Sequence, residues 1–157
     1  YASSNVDMPT MPLDILSVFN NDNSVVVFDV GGDDDGALAL GQYKQYFDKY
    51  GYEMHFIVNT KRPLTRTNDE LIEIAERIES ASRLKFTDIY NNTNLSDQTD
   101  ETTLFSGYDE IKMLSKKMGI VIKKNCGIDK ALSNVPTNLK DTVFRMNICI
   151  LRPWEIQ

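Results

Sequence analysis

Short β-branched runs alternate with stretches of helical period along this chain, in the βαβ order that gives a parallel sheet. Residues 25–30, Val-Val-Val-Phe-Asp-Val, are apolar until Asp29, which predicts a buried strand covered on both faces. Residues 36–50 read as a helix with Ala37, Leu40, Tyr43 and Phe47 on one face and Gly51 closing it. Residues 54–59 supply the next strand. Thr67-Asn68-Asp69-Glu70 then has capping-box spacing ahead of an i, i+3, i+4, i+7 stripe of Leu71, Ile74, Ala75, Ile78 and Ala81. Residues 86–90 form a third, shorter strand that ends in the polar turn Asn91-Asn92-Thr93-Asn94. A helical region over 100–118, broken near Gly107, leads through Gly119 to a strand at 120–122, and residues 143–151 supply the last strand. The pattern predicts a single α/β domain over residues 1–157, with a mainly parallel sheet flanked by helices.

Composition narrows the class. With 157 residues, 41% hydrophobic and 25% charged, the chain has the balance of an ordinary globular protein and can bury a substantial core. A net charge of −6 argues against a broad nonspecific nucleic-acid footprint. Cys126 and Cys149 are too few and too far apart for a metal cluster, so two reduced thiols are expected. No run of about 18 apolar residues and no signal-peptide pattern occurs, so the expected setting is cytoplasmic, without a membrane partner.

The chemistry concentrates where the first apolar run ends. Asp29 falls at the carboxyl end of the expected strand, the edge at which open α/β sheets bind ligands. Gly31-Gly32 and the acids Asp33, Asp34 and Asp35 follow at once. An acid beside Mg²⁺ and glycine amides turned toward a terminal phosphate is the Walker B arrangement; a tight strand-to-helix turn with acids at a helix start is the plainer reading. Ala37 and Leu38 stand where a phosphate loop would complete Gly-Lys-Ser/Thr, and G-x-G-x-x-G is absent. At the end of the third strand, Asn91 or Asn92 could meet an adenine edge, or serve as an Asx-turn residue. The loop Lys61-Arg62-Pro63-Leu64-Thr65-Arg66 brings basic residues to the same edge, while His55, the lone histidine, reads as core or sheet surface.

Taken in order, Phe28-Asp29-Val30-Gly31-Gly32-Asp33-Asp34, Gly36-Ala37 and Ala39-Leu40-Gly41 resemble the part of a ParA/MinD-type P-loop ATPase that follows its phosphate loop. The narrower resemblance is to the CobQ/CobB/MinD/ParA nucleotide-binding domain proteins. It extends through Arg62-Pro63-Leu64-Thr65, Glu79-Ser80-Ala81-Ser82-Arg83-Leu84, Asn91-Asn92-Thr93-Asn94-Leu95 and Arg152-Pro153-Trp154, with Ala2 to Pro12 at the front. The resemblance implies an incomplete P-loop NTPase (Rossmann-like) fold: the sequence has no Walker A strand, loop or lysine, so a fragment of a cytosolic ATPase domain is expected.

By the same resemblance, Asp29 is the metal-side acid, Gly31 and Gly32 the phosphate-sensing turn, and Asn91 or Asn92 the base contact, with Asp33, Asp34 and Arg62 as further candidates. ATP and Mg²⁺ would be the cofactors of the intact parent, a nucleotide-dependent switch; this chain alone is expected to be inactive and to hold neither tightly, for want of the amide cradle and lysine. A nucleotide-independent interaction or self-association domain is the alternative. In the resembled class the Walker A strand separates the Walker B strand from the next in sequence. Without it, residues 25–30 are expected to pair directly with residues 54–59, homo-oligomerisation being the competing way to cover the exposed edge.

Overall fold

In the computed structural model, residues 13–20, 25–32 and 34–149 are described. They show an α/β architecture whose chain groups into two compact units, Tyr1–Met54 with Ile74–Lys85 and His55–Glu73 with Phe86–Gln157.

The first unit is organised by aromatic packing. Leu40, Phe47 and Leu84 are buried at its centre, with Phe19, Phe28, Val30, Tyr43, Tyr52 and Met54 packed around them. Phe47 meets Phe19, Phe28 and Tyr52 edge-on at centroid separations of 5.4, 5.6 and 5.9 Å, the geometry aromatic quadrupoles favour. The helix expected over 36–50 is two helices, α1 (Asp34–Gly41) and α2 (Lys44–Tyr50). A close approach of backbones marks the break: a Cβ on Gly41 would lie 2.8 Å from the Ala81 carbonyl oxygen. Gly51 closes α2 as expected, its N–H donating to the Phe47 carbonyl at 2.9 Å.

Residues 25–30 depart from the expected buried strand. They join no sheet, and Val25 and Val27 are 94% and 84% exposed. Phe28 and Val30 alone turn into the aromatic core, so the run covers one side of that core and is not itself covered on both faces. The expected pairing with residues 54–59 is therefore not made. A β-branched apolar run becomes a buried strand only where neighbouring strands meet its backbone groups, and among the described residues none does here.

The second unit holds the sheet. Its strands are β1 (His55–Val58), β2 (Asp88–Asn91), β3 (Val121–Gly127) and β4 (Val143–Arg145), all parallel and in sequence order. The 15-residue helix α3 (Asn68–Ser82) joins β1 to β2, and α4 (Glu101–Phe105) with α5 (Tyr108–Met118) joins β2 to β3. The capping box forms as its spacing predicts. Thr67 Oγ1 accepts from the Glu70 N–H at 3.3 Å, and Glu70 Oε2 accepts from the Thr67 N–H at 2.9 Å.

α5 packs on β2 and β3, with Ile111 and Leu114 fully buried, and the Phe56 and Phe86 rings stack at 4.7 Å. The last strand is shorter than expected. It ends at Arg145; beyond it the Met146 N–H still reaches the Gly127 carbonyl at 2.8 Å, whereas Ile148 and Cys149 are exposed, and residues 150 and 151 lie outside the described part.

Gly107 separates α4 from α5, where the sequence places the break. A Cβ there would stand 2.5 and 2.6 Å from Cβ and Cγ2 of buried Thr60. Its backbone (φ −115°, ψ 21°) suits any residue, so Gly→Ala would ordinarily be neutral or mildly stabilising; here crowding decides the sign. Gly107→Ala should destabilise the protein by about 1–3 kcal/mol in urea unfolding, and an unchanged midpoint would show that Thr60 gives way freely.

Candidate functional site

The carboxyl edge of the sheet is where a ligand would sit in an open α/β fold. In the second unit that edge is built almost wholly from asparagine and threonine. Asn91, the last residue of β2, has no exposed surface. Its Nδ2 donates to the Leu104 carbonyl and to Asn125 Oδ1, both at 3.1 Å, and its Oδ1 accepts from the Thr93 N–H at 3.1 Å. Asn125, opposite it on β3, is equally buried and donates to Thr142 Oγ1 at 2.9 Å, just before β4 begins.

Asn59 works in the same way between two loops. Its Oδ1 accepts from the N–H groups of Lys61 and Asn94 at 3.0 and 3.2 Å, and its Nδ2 donates to the Asn94 carbonyl at 3.2 Å. Thr60 and Thr93 join through their hydroxyls at 3.2 Å.

This geometry separates the two asparagines that the sequence leaves as alternatives. Asn91 does not fit an adenine contact, because both its amide hydrogens and its oxygen are engaged within the protein and no surface is open. Asn92 is half-buried, its N–H donating to the Val58 carbonyl at 2.8 Å, and its side-chain NH₂ makes no hydrogen bond among the described residues. Arg62 is exposed; its N–H donates to the Asn59 carbonyl at 3.2 Å, and its carbonyl accepts from Thr65 Oγ1 at 3.1 Å. Asn59 thus ties the Arg62 loop to the Asn92–Asn94 turn.

The remaining predicted residues belong to the first unit. Asp29 and the Gly31-Gly32 pair are exposed, and a Cβ at Gly32 would meet nothing within 4 Å, so that backbone is open to an approaching group. A Cβ at Gly36, by contrast, would stand 3.2 Å from the Gly31 nitrogen, which makes the turn tight. Asp33 lies outside the described residues, and of Asp34 only its place at the start of α1 is described. Taken separately, the first unit offers an exposed carboxylate and an open glycine backbone, and the second offers one unspent asparagine amide, that of Asn92 and not of Asn91.

Sequence reasoning missed two groups. At the end of β1 a cleft of about 340 Å³ is lined by Thr60, Lys61, Arg66, Ser106, Gly107 and Glu110. The basic loop was a signal for Lys61 and Arg66, whereas nothing local marks the other four. At the opposite end of the strands, nearly buried Asp88 pairs with His55 Nδ1 at 2.5 Å and Lys123 Nζ at 3.1 Å. Lys123 is the residue set aside where the β2–β3 register shifts. His55 is thus at the sheet surface, one of the two alternatives read from the sequence.

Neither protein-family models, nor curated proteins, nor solved structures gave a match to the chain. Among the described residues no helix is long and apolar enough to cross a membrane.

The network makes two predictions. Removing the Asn91 amide leaves buried Leu104 and Asn125 groups unmatched, so Asn91→Ala should cost about 1–3 kcal/mol of unfolding free energy, while Asn92→Ala should cost far less. Equal losses would contradict the assignment.

The second prediction concerns Asp100, which caps α4, the helix that presents the Leu104 carbonyl. Its carboxylate accepts from the Thr103 hydroxyl, the Thr103 N–H and the Thr102 hydroxyl at 2.7, 2.7 and 2.8 Å, and these bonds lower its pKa to about 2. A carboxyl that titrates lower in the folded state stabilises above its unfolded pKa and loses that contribution as pH falls through the folded value. Wild type should therefore be more stable than Asp100→Ala at neutral pH, and the gap should narrow as pH falls from near 4 toward about 2. A gap independent of pH would refute the capping role.

Proposed function

We propose that this chain is part of a cytosolic nucleotide-binding α/β protein of the ParA/MinD kind, an ATPase in its intact form, and that its Asn92 contacts the base. Asn92 carries the reading: it stands at the carboxyl end of a parallel strand with an unspent amide, in a turn that Asn59 ties to the Lys61–Arg66 loop. Asp29 would serve on the metal side and the Gly31-Gly32 backbone near the terminal phosphate, as the resemblance implies. Mg²⁺, when bound, would neutralise charge developing between the β- and γ-phosphates. The chain's own share would be to orient the base and to hold a carboxylate toward the metal. With no Walker A lysine in the sequence, phosphate affinity would depend on groups outside these residues.

A nucleotide-independent interaction domain is the second reading. The complete use of Asn91 inside the protein favours it, since it takes away one of the two asparagines offered for base contact.

Calorimetry with ATP·Mg²⁺ separates the two. The 157-residue chain should bind more weakly than about 1 mM, roughly −4 kcal/mol, and should not hydrolyse ATP. In a version joined to a Walker A segment, Asn92→Ala should weaken ATP about threefold to tenfold while leaving inorganic triphosphate unchanged, and Asp29→Ala should abolish Mg²⁺-dependent binding. Failure of the joined version to bind ATP would favour the interaction domain. Asp29-dependent turnover by the present chain alone would overturn the fragment reading.

A further inference from the structure

The cleft at the end of β1 is lined by none of the residues assigned to the nucleotide. In a chain with 23 acids and 17 Lys and Arg, many cations find carboxylates: Lys44 pairs with Asp48, Lys85 with Glu79, Lys112 with Asp109, Lys123 with Asp88 and Arg145 with Asp129. Lys61 and Arg66 form no ion pair among the described residues, yet both line the same cavity. Glu70, four residues beyond Arg66, is held by the N–H groups of Arg66 and Thr67 at 2.9 Å and also feels the Arg66 charge, while Asp69 pairs with neither cation among the described residues.

The loop that carries these cations is fixed in shape. Leu64, 69% exposed, adopts a left-handed backbone (φ 66°) that leucine rarely takes. The turn is closed by Thr65 Oγ1 on the Asn59 carbonyl at 2.7 Å and by the Arg62 N–H on the same oxygen at 3.2 Å. Lys61 and Arg66 therefore reach the cavity from the two ends of a closed turn. The start of α5 also borders it, but Asp109 and Glu110 already occupy that helix's first turn, so the side-chain cations and not the helix end supply the attraction.

Between them the lining groups define a ligand. Arg offers a planar fork suited to two oxygens of one phosphoryl group, and Lys offers a mobile point charge. Glu110, half-buried in the same lining, repels a second phosphate and accepts hydrogen bonds. We propose that this cleft binds a phosphate monoester bearing hydroxyl groups, with Lys61 and Arg66 on the phosphoryl oxygens and Glu110 accepting from a hydroxyl. The inference does not rest on the nucleotide reading, because it uses none of Asp29, Gly31, Gly32 and Asn92.

Titration of the ¹⁵N-labelled chain with ribose 5-phosphate, inorganic phosphate and free ribose tests it. Ribose 5-phosphate should move the amide signals of Thr60, Ser106 and Gly107 at millimolar concentration, inorganic phosphate should move them more weakly, and ribose should not. Lys61→Gln and Arg66→Gln should each weaken the ester about tenfold, the loss of one charge-assisted contact. Arg62→Gln, which removes a cation of the same loop that does not line the cleft, should leave affinity within about twofold, well below that loss. Glu110→Gln should lower the preference for ribose 5-phosphate over inorganic phosphate. Asp29→Ala should change nothing, which keeps this result distinct from the ATP test.

Amide spectra of the variants report whether each remains folded; since Lys61 and Arg66 are both exposed, either substitution can stand in for the other. Three results would overturn the proposal: no shift at these amides, shifts spread evenly over surface lysines, or an Arg62→Gln loss equal to that of Arg66→Gln.

Discussion

The buried amide pair Asn91–Asn125 is the contact on which the second unit depends. Two side chains without exposed surface meet across β2 and β3, and each also holds a partner outside the sheet, the Leu104 carbonyl on α4 and the Thr142 hydroxyl ahead of β4. Buried amides are costly unless their hydrogen bonds are made, so the arrangement has few tolerable alternatives. The matched residues on adjacent strands, Asn91 with Asn125 and Asn125 with Val143, set the register. A slip by one residue would strip both amides of their partners at once.

The same edge is closed at β2–β3 and open beside β1. Where Asn91, Asn125 and Thr142 satisfy one another their polar groups are spent, and the Asn92 amide is what that strand end leaves for a ligand. Past β1 the network thins to Asn59, Thr60 and Thr93, and the loop side chains diverge around a cavity. Gly107 helps set the boundary, because the Thr60 side chain occupies the space a Cβ would need. Close packing of one glycine against one threonine thus brings the start of α5 to the edge of the cleft.

Much of the second unit was legible from local pattern. The capping box at Thr67, the break at Gly107 and the four strands, the last of them shorter than expected, follow from spacing that acts over a few residues, and the structure contains each of them. Residues 25–30 mislead because strand formation is decided by distant partners, and hydrophobicity alone does not supply them. Among the candidate site residues, the sequence could place Asn91 and Asn92 at a strand end but could not separate them. Their difference lies in Leu104 and Asn125, 13 and 34 residues away. The pairing of His55 with Asp88, 33 residues on, was hidden for the same reason, whereas the basic loop showed half its role because its charges are contiguous.

Sequential strand order also bears on how the sheet assembles. β2 adds beside β1, β3 beside β2 and β4 beside β3, so no strand has to insert between two already paired. The first two pairings close segments of comparable length, 33 residues from His55 to Asp88 and 34 from Asn91 to Asn125, the third closes the shorter segment from Asn125 to Val143, and loop-closure entropy grows only slowly with such lengths. The sheet can therefore grow outward in the direction of synthesis, each new crossover docking on an edge already in place. Asn91 and Asn125 find each other only when the third strand arrives, so the buried amide bond closes late, and until then the polar edge of the first two strands stays hydrated.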